Sequence, residues 1–213
     1  DAAARAALET AMAGRPVWLA ASTHEGEDQI VTAAHRRMQR DIPGLLTLIA
    51  PRHPERGPAI AELAKGQGLS VAQRSLGELP GPATSIYLCD TIGELGTLYA
   101  LAHIAFIGGS LVPHGGQNPI EAVRHGSVVL SGPNVHNFLD AYRALARRGG
   151  MVEVSSAETL SVAALALMSD EPRRQVMRVS ATSAVDGLGG ALDRTVKELL
   201  ALLPLAEGLR RAS

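Results

Sequence analysis

The chain is poor in cysteine, in aromatic side chains and in long apolar runs. A single cysteine, Cys89, among 213 residues excludes an internal disulfide and any cysteine-built zinc site, and suits a reducing compartment. Aromatics make up only 3% of the sequence, so the core has to pack through Ala, Leu and Val. No apolar stretch approaches the ~20 residues needed to span a bilayer, and no signal peptide pattern opens the chain; the polypeptide as given is expected to be soluble. Charge of one sign is lacking as well. Twenty Lys and Arg against 21 Asp and Glu give a net charge of −1, too little for the basic face that neutralises nucleic-acid phosphates. The first turn carries no G-x-G-x-x-G and the chain no G-x-x-x-x-G-K-[ST], which disfavours a dehydrogenase and a P-loop NTPase. Of the seven histidines, His24, His53, His114 and His136 fall in loops expected at the ligand-binding crevice, but their spacing follows no usual metal pattern, so no metal ligands are assigned.

What is present is a repeated alternation. Short apolar runs at 17–21, 45–50, 70–73, 86–89, 104–107, 128–130 and 151–154 are strand candidates, and amphipathic segments at 25–39, 58–65, 94–102, 119–125 and 137–147 separate most of them. Near-continuous apolar strands joined by crossover helices predict a Rossmann-like, doubly wound α/β domain with a parallel sheet. Helical patterns follow at 157–168, 171–180 and 190–203, with a break expected at the glycines of 187–190. The last of these has Leu192, Val196, Leu199 and Leu203 at helical spacing. Asp1 stands where a natural chain starts with Met, and an alanine-rich stretch follows. Residues 1–14 therefore read as a linker remnant, 15–186 as the domain and 187–213 as a C-terminal helix and tail, with another part of the protein missing.

In open α/β sheets ligands gather beyond the carboxyl ends of the strands, and polar residues follow each apolar run. Ser22 to Glu27 follow the first, Pro51 to Arg56 the second, Asp90 to Glu94 the fourth, and Gly108 to Ser110 lead from the fifth into "VPHGGQNPIEAVRHG". Ser22 with Glu25, Thr91 with Glu94, and Asn118 with Glu121 all match the cap-x-x-Glu pattern that satisfies a helix's first amides. Pro119 suits a first helical position. Capping explains each pair alone. It does not explain Gly108, Gly109, Gly115 and Gly116, whose entropy cost suggests close backbone approach to a ligand. Amides at a helix start attract an anion, Arg52 could add a guanidinium fork, and Glu121 could accept two hydrogen bonds from a ribose diol. That combination describes a nucleotide site.

Four ordered motifs, "LAASTHEGED", "PRHPERG", "LCDTIGELGTLYALAHIAFIGGSL" and "HGGQNPIEAV", resemble the donor-binding half of the 3-deoxy-D-manno-octulosonic acid (Kdo) transferases of lipopolysaccharide synthesis. The resemblance runs from about residue 15 to about residue 145. It implies the C-terminal half of a GT-B glycosyltransferase, in which two Rossmann-like domains face a cleft. It further implies that Pro51, Arg52, Ile92, Gly93, Glu94, Asn118, Pro119, Ile120 and Glu121 contact the CMP part of the donor CMP-Kdo. Ser22, Thr23 and the glycines around Ser110 and Gly116 would line the same crevice. The family is inverting and metal-independent, uses no cofactor, and transfers Kdo to lipid A precursor. Its base, acceptor site and membrane anchor belong to the N-terminal domain, so no catalytic residue is assigned in this chain. The full-length protein would sit at the cytoplasmic face of the bacterial inner membrane. One departure is that Gln117 stands where many members carry His. Two other readings remain open: another GT-B enzyme using a UDP-sugar, and a noncatalytic α/β module whose capped helices serve packing only.

Overall fold

A computed structural model of the chain describes residues 2–12 and 14–202. Seven strands, β1 (Val17–Thr23), β2 (Leu46–Pro51), β3 (Val71–Gln73), β4 (Ile86–Leu88), β5 (Ile104–Ile107), β6 (Val128–Ser131) and β7 (Met151–Glu153), form one sheet in the order β3-β4-β2-β1-β5-β6-β7. Every pairing is parallel. Each expected apolar run is a strand, with ends differing by two residues at most.

Successive strand residues point to opposite faces, and both faces are covered. Leu19, Ala21, Leu48, Ile107 and Val129 share one apolar cluster with residues of α1 (Ala2–Met12), α4 (Leu95–Leu101), α5 (Ile120–Arg124), α6 (Leu139–Arg147) and α8 (Glu171–Leu202). Trp18, Ala20, Ile49, Phe106 and Leu130 share the other with α2 (Glu27–Met38), α3 (Gly57–Gly66) and α7 (Ala157–Ser169). Two-sided burial is why the strands read as unbroken apolar runs. Close approach matters too: a side chain at Gly150 would come within 2.8 Å of the Ala181 Cα, so glycine lets α8 lie tight against the end of the α6–β7 connection.

Two expectations change. The break at 187–190 does not occur, because α8 runs unbroken from Glu171 to Leu202. Glycine inside a helix costs about 1 kcal/mol relative to alanine but does not forbid helical geometry. The side chains of the expected apolar stripe, Leu192 to Leu203, lie outside the described residues. The stretch read as a linker contains α1, whose Leu8 and Met12 are buried in the first cluster, so packing continues across the expected boundary at residue 15.

At the end of β1 the register with β2 shifts between Ala21 and Thr23, and Ser22 adopts a φ of 54°. Such a bulge re-aims side chains at a sheet rim. Far from that rim, His35 of α2 is 1% exposed and its Nδ1 lies 2.8 Å from the Thr47 hydroxyl. Burial, helped by the charge of Arg15, lowers its pKa to about 4. The unfolded chain therefore binds a proton that the native one refuses, so stability present above pH 6.5 is lost as the pH falls towards about 4. Urea midpoints across that window should fall for the parent and flatten for His35→Gln; equal slopes would contradict the assignment.

Candidate functional site

β1 sits at the centre, with the chain moving one way to β2 and the other way to β5. This is the topological switch point beyond which ligands bind in open sheets. A recess of 380 Å³ opens there, lined among others by Ser22, Pro51, Arg52, His53, Ile92 and Gly93. That volume falls within the range of about 300–1,000 Å³ usual for small-ligand pockets. A larger recess of 470 Å³ lies at the opposite end of the strands, around Arg15, His103 and Arg174; its position argues against it as the main site. Cys89 is buried in the wall of the first recess, and burial pushes its thiol far above the usual range. It is a neutral apolar surface there, not a nucleophile.

The structure gathers the anticipated residues at this end of the sheet, in different roles. Pro51 closes β2 and is buried, while Arg52 is exposed at the recess with its backbone N–H donating to the Thr23 carbonyl at 3.0 Å. Ile92 is 88% exposed, an apolar side chain left at the rim. Gly93 has a φ of 88°, a conformation that asks for glycine. Glu94 is held by Arg74, which donates from Nε at 3.0 Å and Nη2 at 2.8 Å, and also by the Thr91 hydroxyl. The guanidinium beside it keeps the Glu94 carboxyl below its ordinary pKa. Across α4, Glu121 is exposed, and its Oε1 lies 3.6 Å from where a Gly96 Cβ would stand. Asn118 Oδ1 accepts the Ile120 N–H at 3.0 Å, Pro119 stands at the N-cap of α5, and half-buried Ile120 packs against the core.

The capping reading is corrected at two of its three pairs. Gly26 and Glu94 occupy the N-cap positions of α2 and α4, and neither helix has a side-chain cap. Of the three expected caps, Asn118 alone satisfies an amide at its helix start. Because α5 has five residues, few aligned peptide dipoles stand behind that start.

Thr23 does not line the crevice. It is buried, its hydroxyl donates to Asp28 Oδ1 at 2.7 Å, and Arg56 pairs with the other oxygen of Asp28 while donating to the Thr23 carbonyl at 2.9 Å. The glycines near Ser110 are also spoken for. The carboxylate of Glu27, 0% exposed, accepts the N–H groups of His24 at 2.9 Å, Gly109 at 2.7 Å, Ser110 at 3.0 Å and Leu111 at 2.9 Å. The amide-rich turn expected to receive a ligand anion holds an anion of the protein itself. In the following turn the Gly116 and Gln117 amides donate to the Gly109 and Gly108 carbonyls at 2.8 and 3.1 Å. A Cβ at Gly108 would fall 2.3 Å from the Ser22 carbonyl oxygen, so the glycine there serves loop-on-loop packing.

Sequence reasoning missed Glu27, Arg56 and Arg74. All three carry signals typical of exposed helix ends or loops, and their partners are distant in the chain. His24, His53, His114 and His136 were expected in the loops at this end of the sheet, but not that three of them would meet. The His24 and His114 rings lie 3.7 Å apart at 31°, and His53 meets His24 edge-on at 6.1 Å. The Gln117 amide nitrogen is 3.0 Å from His24 Nε2. Burial first, then His114, His53, Arg56 and Arg52, lower the His24 pKa to about 4. Among the described residues no group of three His, Cys, Asp or Glu is arranged to hold a metal ion, and no helix is long and apolar enough to cross a membrane.

No protein-family model matches the chain. The 3-deoxy-D-manno-octulosonic acid transferase of Haemophilus influenzae is 40% identical over 181 residues, covering 84% of this chain and 42% of that protein. The enzyme of the same name from Bordetella pertussis is 40% identical over 190 residues, 87% of this chain and 44% of that one. The chain thus spans less than half the length of these relatives. Among solved structures, the C-terminal CMP-Kdo binding domain of WaaA from Acinetobacter baumannii superposes with a TM-score of 0.82 at 27% identity, covering 86% of this chain and 96% of that domain. The C-terminal domain of a group 1 family glycosyl transferase, LpcC, from Francisella tularensis shares the fold at a TM-score of 0.58 and 12% identity, over 86% of this chain and 91% of that domain.

Glu27→Gln replaces two acceptor oxygens by one and sets an amide N–H against backbone donors. Urea unfolding should show a loss of about 2–3 kcal/mol, the scale of hydrogen bonds to a charged group. An unchanged midpoint would mean that the loops hold without it.

Proposed function

The chain belongs to the 3-deoxy-D-manno-octulosonic acid (Kdo) transferase family and has the fold of a GT-B C-terminal domain, and from that premise we propose that it holds the donor CMP-Kdo by its nucleotide. One observation carries this reading: Arg52 and the Ile92–Gly93 turn flank a recess of nucleotide size, and the exposed carboxylate of Glu121 lies beside Gly96 of α4, the helix whose Leu95 and Leu98 line that recess. The cytosine ring lies in the recess against Pro51 and under Ile92, where Gly93 leaves the backbone bare. The ribose hydroxyls donate to Glu121. Arg52, whose side chain pairs with no carboxylate among the described residues, takes the phosphate. Glu94 contributes by fixing the turn that carries Ile92 and Gly93, since Arg74 already occupies its carboxylate. Asn118, Pro119 and Ile120 set the turn that presents Glu121.

In the longer protein, a hydroxyl of lipid A precursor attacks the anomeric carbon of Kdo with inversion. A new carbon–oxygen bond forms, the bond to the phosphate oxygen breaks with its electron pair leaving on CMP, and a base outside this chain takes the hydroxyl proton. Arg52 stabilises the charge that gathers on the departing phosphate, in a scheme that uses neither metal nor cofactor. Acceptor binding and attachment to the cytoplasmic face of the inner membrane fall to the remainder of the protein, so this chain alone binds donor without transferring Kdo.

Calorimetric titration with CMP, UDP and GDP tests the reading, with CMP expected to bind tightest. Arg52→Ala should weaken CMP by roughly 10- to 100-fold, the loss of about 1.5–3 kcal/mol that a charged hydrogen bond supplies. Glu121→Ala should cost about tenfold on the same basis, with the thermal midpoint unmoved in both because both side chains are exposed. A preference for UDP, or undiminished CMP binding by both variants, would end the case.

A further inference from the structure

We propose that His24, His53 and His114, with Gln117, form a seat for the carboxylate of the donor's sugar acid, one group beyond the phosphate; this rests on the donor reading above. His53 lines the recess beside Arg52, so the cluster begins where the nucleotide ends. His24 and His114 continue it, ring against ring at 3.7 Å. Gly109 gives them room: any Cβ there would stand 3.2 Å from the Cδ2 atoms of both rings.

Among the described residues, the charged groups that act on His24 are all positive. Glu27 spends its carboxylate on four backbone N–H groups. Asp28 spends its own on Thr23 and Arg56. Glu55 meets only the outer side of His53, at 3.7 Å, and is well exposed. Arg52 and Arg56 add positive potential from the neighbouring loop. Imidazoles packed this closely cannot all carry protons unless an anion joins them. A carboxylate supplied by the ligand completes the set; a neutral sugar leaves the rings uncharged and weakly engaged.

Gln117 fits this use. Its amide nitrogen lies 3.0 Å from His24 Nε2 and donates to that nitrogen in the tautomer that leaves it bare. Once that nitrogen is protonated, a turn of the amide brings its oxygen round to accept. A donor and an acceptor on one side chain serve both states. The sign of the coupling follows: His24 is neutral at pH 7 with a pKa of about 4, a nearby carboxylate raises that value, and so binding takes up protons and strengthens as the pH falls towards 6.

The test compares CMP-Kdo with the methyl ester of CMP, a phosphodiester without the sugar acid, on this chain and its His24→Ala, His53→Ala and His114→Ala variants. Each variant should lose about tenfold in affinity for CMP-Kdo, on the scale of one charge-assisted hydrogen bond, and less than twofold for the methyl ester. Calorimetry in two buffers of different ionisation enthalpy should show proton uptake with CMP-Kdo and none with the ester. His53 and His114 are exposed, so these two variants keep the test valid if His24→Ala misfolds. Equal losses for both probes would make the cluster a phosphate seat, and unchanged CMP-Kdo binding would remove its role; either overturns the proposal while the nucleotide reading stands. If the parent chain binds neither probe, both fall together.

Discussion

The rim of this domain depends on one buried ion, the carboxylate of Glu27. Burying a charge costs several kcal/mol unless hydrogen bonds replace the lost water, and here four backbone N–H groups from two loops do so. Three of the donors lie in the turn after β5 and one in the turn after β1, and these strands are neighbours in the sheet. The carboxylate therefore joins the two loops on either side of the switch point. Left open, the Gly109–Leu111 amides would be a ready concavity for a ligand's anion. Filled, they become scaffold, and the task of meeting a ligand anion moves outward to side chains.

The same economy recurs around the recess. Asp28 binds Arg56 to the end of β1, Asp90 accepts Gln73 Nε2 and the backbone and hydroxyl of Ser75 at 2.7, 2.9 and 2.7 Å, and Glu94 binds Arg74 across the β3 and β4 loops. Each loop that leaves the carboxyl end of β1, β3 or β4 thus carries a polar lock. Arg56 and Arg74 are committed to carboxylates, and among the described residues Arg52 pairs with none. An uncommitted guanidinium on a fixed loop is preorganised, since little ordering remains to be done when an oxyanion arrives.

Much of the architecture was legible because parallel strands buried on both sides write themselves as short apolar runs, and all seven such runs are strands. The candidate recess was legible for a related reason: in an open parallel sheet the loops that follow the strands gather at one rim. The locks were not legible. Glu27 and Gly109 are 82 residues apart, Arg56 and Asp28 are 28 apart, and Arg74 and Glu94 are 20 apart, and nothing local marks the partners. Glu27 in particular looks like any acid in a first helical turn, where charge complements the dipole. Glycine misled in two opposite ways. At 187–190 it suggested a break that the helix tolerates, and at 108–109 it suggested room for a ligand where the neighbouring loop fills the space. Residue chemistry alone reached a nucleotide; the choice of CMP over UDP came from the family resemblance.

In the donor reading, the nucleotide is held by rigid, locked loops while the bond to be broken lies at the open edge, over the histidines. That division suits a group transfer. Binding energy collected at a remote base and ribose can be used to orient the reacting carbon, provided the remote part does not shift when the second half of the cleft approaches. The exposed Ile92 supplies apolar area for the base to cover, at roughly 25 cal/mol per Å² removed from water, and the Arg74–Glu94 pair keeps its turn in place. Only the chemistry at the edge then has to respond to an acceptor, and imidazoles suit that position because an arriving anion favours their charged form.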